Sequence, residues 1–376
     1  MRTSDVTDYP LVSFTPYLRE IERHPSYVAG LPRYPRNFSR DVFIAGILAM
    51  NSELLASQLE ISAEHIGRKF DPATGEEPGK IHHEWPGVQI NELPLLTTYN
   101  ACDSTAFFLL AVEALTACDK KIGRRFLNQR RKEIDAAVEY LVRHLKDNLF
   151  YEFPPPGADR FALLVTYWKD SILPDAPAFQ ATRYPICYSL VHFQVSRAIL
   201  AVAILINDRS LEQQSRTLFE NGIRRFIRPE GFTVYEEPGH TLIQSSSDEL
   251  HSLAYLPEEW LPRLPIENIR RRIQDLATSV GVACTPAKPA ELLYDKYHGH
   301  VVWPFEQAFL HYASHKFGLT DLEHLTIRVL PFIQSGVEYF TVNPHVHAAG
   351  NDHQLWSVAA EAYFLSPSSL RHHHWL

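Results

Sequence analysis

The sequence predicts an all-α protein, either an antiparallel helical solenoid or a closed α/α toroid. Three observations carry this. Apolar residues recur about every 3.6 positions in ten windows: 40–62, 104–119, 130–148, 187–206, 210–227, 246–255, 266–281, 304–317, 320–335 and 354–365. That is the period of a helix with a buried face. No βαβ rhythm and no long two-residue alternation interrupts the windows, which argues against a parallel sheet. The connections alternate between short and long, the long ones including DPATGEEPGK, FPPPGAD, LPDAPAF and NPHVHAAGND. In a toroid such loops gather at one end, and functional residues sit in them and at helix starts.

Taken in order, the windows carry start signals. Asp103-Ser104 opens the second window, and Ser210 to Gln213 reads as an S-x-x-Q capping box at the head of 210–227. GFTVYEE and VEYFTV alternate briefly and predict hairpins. The basic clusters Arg124, Arg125, Arg130, Arg131, Lys132 and Arg270, Arg271, Arg272 fall on helical stretches and read as solvated faces. There is no short repeat and no low-complexity linker. The chain is therefore read as one domain over residues 1–376, with residues 1–35 as an N-terminal arm.

Composition narrows the class. With 376 residues, 45% hydrophobic and 21% charged, the chain is too apolar for disorder and long enough to bury a core without disulfides or metal. Net charge is −8, and no sustained basic patch points to nucleic acid. Cys102, Cys118, Cys187 and Cys284 have no CxxC spacing and read as small buried hydrophobes in a reducing compartment. The apolar stretch Ala198 to Ile206 falls short of the ~20 residues of a membrane span, and the N-terminus shows no signal-peptide run. A cytoplasmic protein is expected. The unusual counts are 26 Pro, 19 His, 17 Tyr and 6 Trp. They suit either long aromatic-lined loops, the surface a sugar binder needs, or a large aromatic core.

Five segments combine charge, aromatics and tight turns. In FSRDVFIAGILAM, Arg40 and Asp41 head an apolar helix; Asp41 either favours the helix dipole or joins Arg40 in gripping vicinal hydroxyls. In EPGKIHHEWPG, His82, His83 and Glu84 lack HExxH spacing, so a polar aromatic rim with Trp85 is expected, not a metal site. In TTYNACDSTAFFLL, Asp103 is a helix cap or a ligand contact. In VTYWKDSILPDAPAFQATRYPICY, Asp170 follows Trp168 and Lys169. A dry indole-lined pocket would raise its pKa as a general acid needs, whereas the Lys169 charge would lower it. The fifth, KYHGHVVWPFEQAFL with SGVEYFTVNPHVHAAGNDHQLWSVAAEAYFL, supplies Glu306, Glu338 and Asp352 together with the HxH pairs His298/His300 and His345/His347. No P-loop, GxGxxG or GxSxG is present, and neither a metal nor a cofactor is expected.

In order, SRD, PGKIHHE, CDSTA, YWKDS, VWPFEQA and HQLWS resemble the motifs of the α-1,6-glucosidase domain of glycogen debranching enzymes and, more distantly, of glucoamylases. The resemblance covers residues 36–365. It implies an (α/α)6 toroid and inverting hydrolysis of an α-glucosidic bond, with two carboxyls about 6.5–9.5 Å apart. It implies Asp170 as general acid, Arg40 and Asp41 on the terminal glucose, Trp168 and Trp303 flanking it, and Glu84 and Asp103 completing the hydroxyl contacts. Trp85, Lys169 and Trp356 join the substrate-binding set. For the base it points to Glu338, 18 residues before Trp356, then to Glu306, then Asp352. CDSTA lacks the relatives' proline and SRD their glycine. A lone toroid without accessory domains points to small oligosaccharides or glucosides. The competing readings are an epimerase or lyase using His and Tyr, and an inactive sugar-binding protein.

Overall fold

The structure, a computed structural model, describes residues 12–21, 24–90, 93–171, 182–287, 296–334 and 336–366. Part of the N-terminal arm and the LPDAPAF loop lie outside them. Among the described residues the helices are α1 (Ser39–Leu48), α2 (Ser52–Glu64), α3 (Ser104–Cys118), α4 (Lys120–Gln129), α5 (Arg131–Arg143), α6 (Ser189–Ile206), α7 (Arg209–Phe226), α8 (Ser247–Tyr255), α9 (Ile266–Gln274), α10 (Pro304–Lys316), α11 (Thr320–Thr326), α12 (Leu330–Ile333) and α13 (Leu355–Leu365).

Six of these close a ring. α1 packs on α3, α3 on α6, α6 on α8, α8 on α10, α10 on α13, and α13 back on α1. Their sequences explain why they are inside. All of α1 and α8, nearly all of the first eleven residues of α3 and α10, and most of α13 are buried. α1, α3 and α13 are apolar nearly all round, as inner helices are, while α8 and α10 bury polar side chains at the end that faces the loops. Phe107, Phe108, Leu109 and Leu110 of α3 lose all or nearly all their exposure, each contributing about 1.5–3 kcal/mol. The outer layer is amphipathic. α2 backs α1, α4 and α5 back α3, α7 backs α6, α9 backs α8 and α11 backs α10, with most of their Arg, Lys and Glu turned out and Arg272 of α9 turned in to Glu249 of α8. The expected (α/α)6 toroid is the observed fold. Among the described residues α6 alone is long and apolar enough to cross a membrane, but 78% of it is buried, as a core helix should be.

The inner helices start at one end. Ser39 Oγ of α1 meets Ser104 Oγ of α3 at 3.2 Å, Ser247 of α8 bonds Glu306 of α10, and Gln354 before α13 bonds Asp41 of α1. Short strands run into four of the starts. Asn37–Phe38 pairs with Glu84–Trp85, Cys187–Tyr188 with Thr233–Glu237, Val301–Val302 with Tyr339–Thr341, and His353–Gln354 with Gly30–Leu31. The hairpins expected from GFTVYEE and VEYFTV are present, Thr233–Glu237 with His240–Ile243 and Tyr339–Thr341 with His347–Ala349.

Helix boundaries differ from expectation where side chains outside the apolar period decide. The 40–62 window divides because Met50 takes φ 46° and Asn51 caps α2 on the N–H groups of Glu53 and Leu54. α4 falls outside the ten windows; Asp119 caps it through Lys121 and Ile122. α5 stops at Arg143, and Asp147 and Asn148, both at positive φ, turn a hairpin from Leu145–Lys146 to Leu149–Phe150. At the head of α7 the cap is Asp208, which accepts from Ser210 and Leu211, and not the box expected at Ser210.

Candidate active site

At the end of the ring where the inner helices begin, a small cavity is lined by Arg40 and Asp41 of α1, by Trp356 of α13 with Gln354 just before it, by Trp303 at the head of α10, and by loop residues that include Trp168, Asp170, Tyr297 and Glu338. Arg40 is its floor. Its Nη1 lies 3.3 Å from Asp103, and its Nη2 donates to Asp170 Oδ2 at 2.6 Å. Burial works against the guanidinium charge, but Asp103, Asp170 and Asp41 outweigh it and raise the Arg40 pKa. Asp103 thus holds the N-cap position of α3 without a side-chain cap bond; its carboxylate serves Arg40 instead. Burial pushes Asp41 up to about 8 against the pull of Arg40, with Asp170 and Glu338 adding to the rise. One Asp41 oxygen accepts from Gln354 Nε2 at 3.1 Å.

Glu338 lines the same cavity as Asp170. It stands on the turn before Tyr339–Thr341. Its Oε1 accepts from the Tyr297 hydroxyl and its Oε2 from the Asn351 N–H at 2.6 Å. Burial raises its pKa, and Asp170 adds to the rise, while the Tyr297 and Asn351 hydrogen bonds pull it back. Tyr34 touches Tyr297, hydroxyl to hydroxyl, at 3.3 Å. Burial and then Glu338 push Tyr34 up to about 12, so it stays a protonated donor. Aromatics complete the walls. Trp168 packs edge-on to Trp303 and Phe305, Trp303 stacks on His298 and Tyr339, and Trp356 stacks on Phe305.

Of the residues expected from sequence, Arg40, Asp41, Asp170, Glu338, Trp168, Trp303 and Trp356 meet in this cavity, with Asp103 directly behind Arg40. Others do not line it. Lys169 is a correction: its ammonium turns away from Asp170 into a buried pit, 2.7 Å from Asp248 and 2.8 Å from Ser247. Glu306 sits in that pit too, 3.8 Å from Lys169, bonded to Ser247 and with Cys284 at 3.5 Å. Burial opposes its charge, but Lys169, His251 and Ser247 prevail and lower its pKa. Glu306 is thus a buried counter-ion and Lys169 an anchor for the loop that carries Asp170. Glu84 pairs with Arg36 at 2.6 Å and takes the Thr97 hydroxyl, and Trp85 stacks on His65. Asp352 is exposed.

The guanidinium paired with Asp170 is that of Arg40, 130 positions away, while the ammonium of its neighbour Lys169 pairs with Asp248. Among the described residues His298 is the one imidazole that lines the cavity. Burial, then Lys169 and Arg40, hold its pKa far below the ordinary histidine value. His300 bonds Thr285 instead. The sequence reading missed Tyr34, Tyr297 and Gln354. Gln354 and Tyr297 stand inside the segments singled out, HQLWS and KYHGHVVWP, and Tyr34 lies between two prolines in the N-terminal arm.

No protein-family model matches the sequence, and no curated protein matches it. Solved structures do share the fold. A GH63 mannosylglycerate hydrolase from Thermus thermophilus, solved in complex with glucose, superposes with a TM-score of 0.62 at 12% identity over 91% of this chain and 96% of that one. The same hydrolase with Tris and D-glycerate gives 0.61 at 11%. A rhamnosidase from Klebsiella oxytoca with rhamnose bound gives 0.55 at 13%, covering 90% of this chain and 60% of that longer one. These likenesses establish the toroid.

Proposed function

We propose that the protein is a glycoside hydrolase that removes a terminal sugar with inversion, acting on α-glucosidic bonds, α-1,6 or α-1,4, of oligosaccharides. The observation that carries this reading is the presence of two carboxyl groups, Asp170 and Glu338, in one aromatic-walled cavity above an Arg40–Asp41 floor. The glycosidase neighbours support it at the level of fold. In this mechanism Arg40 and Asp41 hold adjacent hydroxyls of the terminal ring, and Trp168, Trp303 and Trp356 form the apolar wall beside its C–H groups. Asp170 gives a proton to the leaving oxygen as the glycosidic C–O bond breaks. Glu338, its carboxylate set by Tyr297 and Asn351, takes a proton from the water that attacks the opposite face of the anomeric carbon.

The test is a panel of isomaltose, maltose, limit dextrin, mannosylglycerate and aryl α-rhamnoside, with the first anomer read by NMR. Release of β-glucose from an α-glucoside is expected. α-Glucose as first product would overturn inversion, and mannose or rhamnose release alone would move the sugar assignment. A second reading, an epimerase or lyase on the same toroid, draws on His298; an epimerised or unsaturated product from the panel would put it in place of the hydrolase.

A further inference from the structure

Asn351, whose backbone already holds Glu338, is fully buried, and its side chain reaches the other side of the site. Its backbone N–H donates to Glu338 Oε2 at 2.6 Å, and its carbonyl takes the Glu338 N–H at 3.0 Å. Its side-chain amide does something separate. Asn351 Oδ1 accepts from the Arg33 backbone N–H at 3.3 Å. A backbone N–H can only donate, so this contact settles which end of the Asn351 amide is oxygen. Nδ2 must then face the other way, where it donates to Gln354 Oε1 at 3.0 Å and the His353 carbonyl at 3.2 Å. With its oxygen so engaged, Gln354 has only its NH₂ left for Asp41, and Nε2 lies 3.1 Å from Asp41 Oδ1. Each amide in this chain is oriented by the one before it.

Two glycines make room for the arrangement. A Cβ at Gly30 would overlap both Asn351 Nδ2 and Gln354 Oε1, and a Cβ at Gly350, whose φ is +83°, would overlap Glu338 Oε2.

We propose that Asn351 is a positioning residue that couples the two halves of the site: its backbone sets Glu338, and its side chain sets Gln354 and through it the Asp41 grip on the sugar. This rests on the hydrolase reading. Without the Nδ2 donor the Gln354 amide loses the contact that fixes which of its ends faces Asp41. The loss falls on sugar binding, because Asp41 touches the ring before and during reaction alike. Glu338 keeps its backbone donor and its ionisation.

The test is Asn351→Ala with Gln354→Ala and the double variant, on whichever panel substrate the wild type cleaves. Asn351→Ala is expected to raise KM roughly 3- to 10-fold, the worth of one neutral hydrogen bond. It should leave kcat within about threefold and the acid limb of the pH profile in place. Gln354→Ala should raise KM similarly, and the double variant no further, since Asn351 acts through Gln354. If Asn351→Ala does not fold, Asn351→Ser, which keeps a buried hydroxyl but cannot reach Gln354, carries the same expectations. An unchanged KM, or effects that multiply in the double variant, overturns the proposal. A wild type inert on the whole panel overturns the hydrolase reading and this proposal with it; an active wild type that Asn351→Ala matches overturns this proposal alone.

Discussion

Asp170 and Glu338 reach the cavity by different routes, and their variants should separate accordingly. Asp170→Asn is expected to lower kcat by about 10²–10⁴ with leaving groups that need a proton, and far less with an activated aryl leaving group; equal losses on both would remove the acid assignment. Tyr297→Phe deletes a donor that holds the Glu338 pKa down. The acid limb of kcat/KM, set by a base that must be ionised, should therefore move to higher pH. Asp41 gives a stability signature. Its proton stays on in the folded state up to about 8, whereas an unperturbed aspartate loses it near 3.8. Between those values unfolding releases a proton, so stability falls as pH rises through this window. In Asp41→Asn that slope disappears, and the Tm difference, variant minus wild type, should grow from pH 5 to pH 8. Arg40, Asp41 and Asp170 were legible because each stands in a short motif beside a helix start or an indole. Tyr297 and Tyr34 were not, because their importance lies in a hydroxyl contact across 263 positions, which leaves no local pattern.

The loop that bears Asp170 is tethered at the start of α8, and this is where sequence adjacency misled. Lys169 follows an indole and precedes an acid, which reads as a pocket residue; burial of its stem carries its ammonium to Asp248. Lys169→Met leaves Asp248 and Glu306 without their cation, a loss of about 3–5 kcal/mol for a broken buried pair. Thermal melting should show it as a Tm drop of several degrees. The same pit distinguishes the two glutamates. Glu338→Gln should lose activity with Tm near wild type, whereas Glu306→Gln should lower Tm together with activity; the reverse pattern would transfer the base to Glu306. The inner helices themselves were readable from their apolar period. Their ends were not, because Met50, Asn51, Asp119 and Asp208 set them through backbone dihedrals and caps that the period does not encode.

The six inner helices share one continuous core, and no inner helix can leave without exposing two neighbours. Calorimetry should therefore give one transition, and a sugar that fills the cavity should move it as a whole, by an amount set by its concentration over Kd. Two separate transitions would contradict the one-domain reading. That reading came from the absence of linkers and from motifs spread along the chain. Ring closure was legible through the motif resemblance and not from the helix period, since it depends on α13 meeting α1. The join is made by Gly30–Leu31 pairing with His353–Gln354, more than three hundred positions apart. During synthesis at about 5–20 residues per second, the first of these strands waits tens of seconds for the second. In that interval the Arg40–Asp41 floor has no Gln354 and no Glu338. Until then the inner helices can form at most a five-helix arc with an open apolar seam.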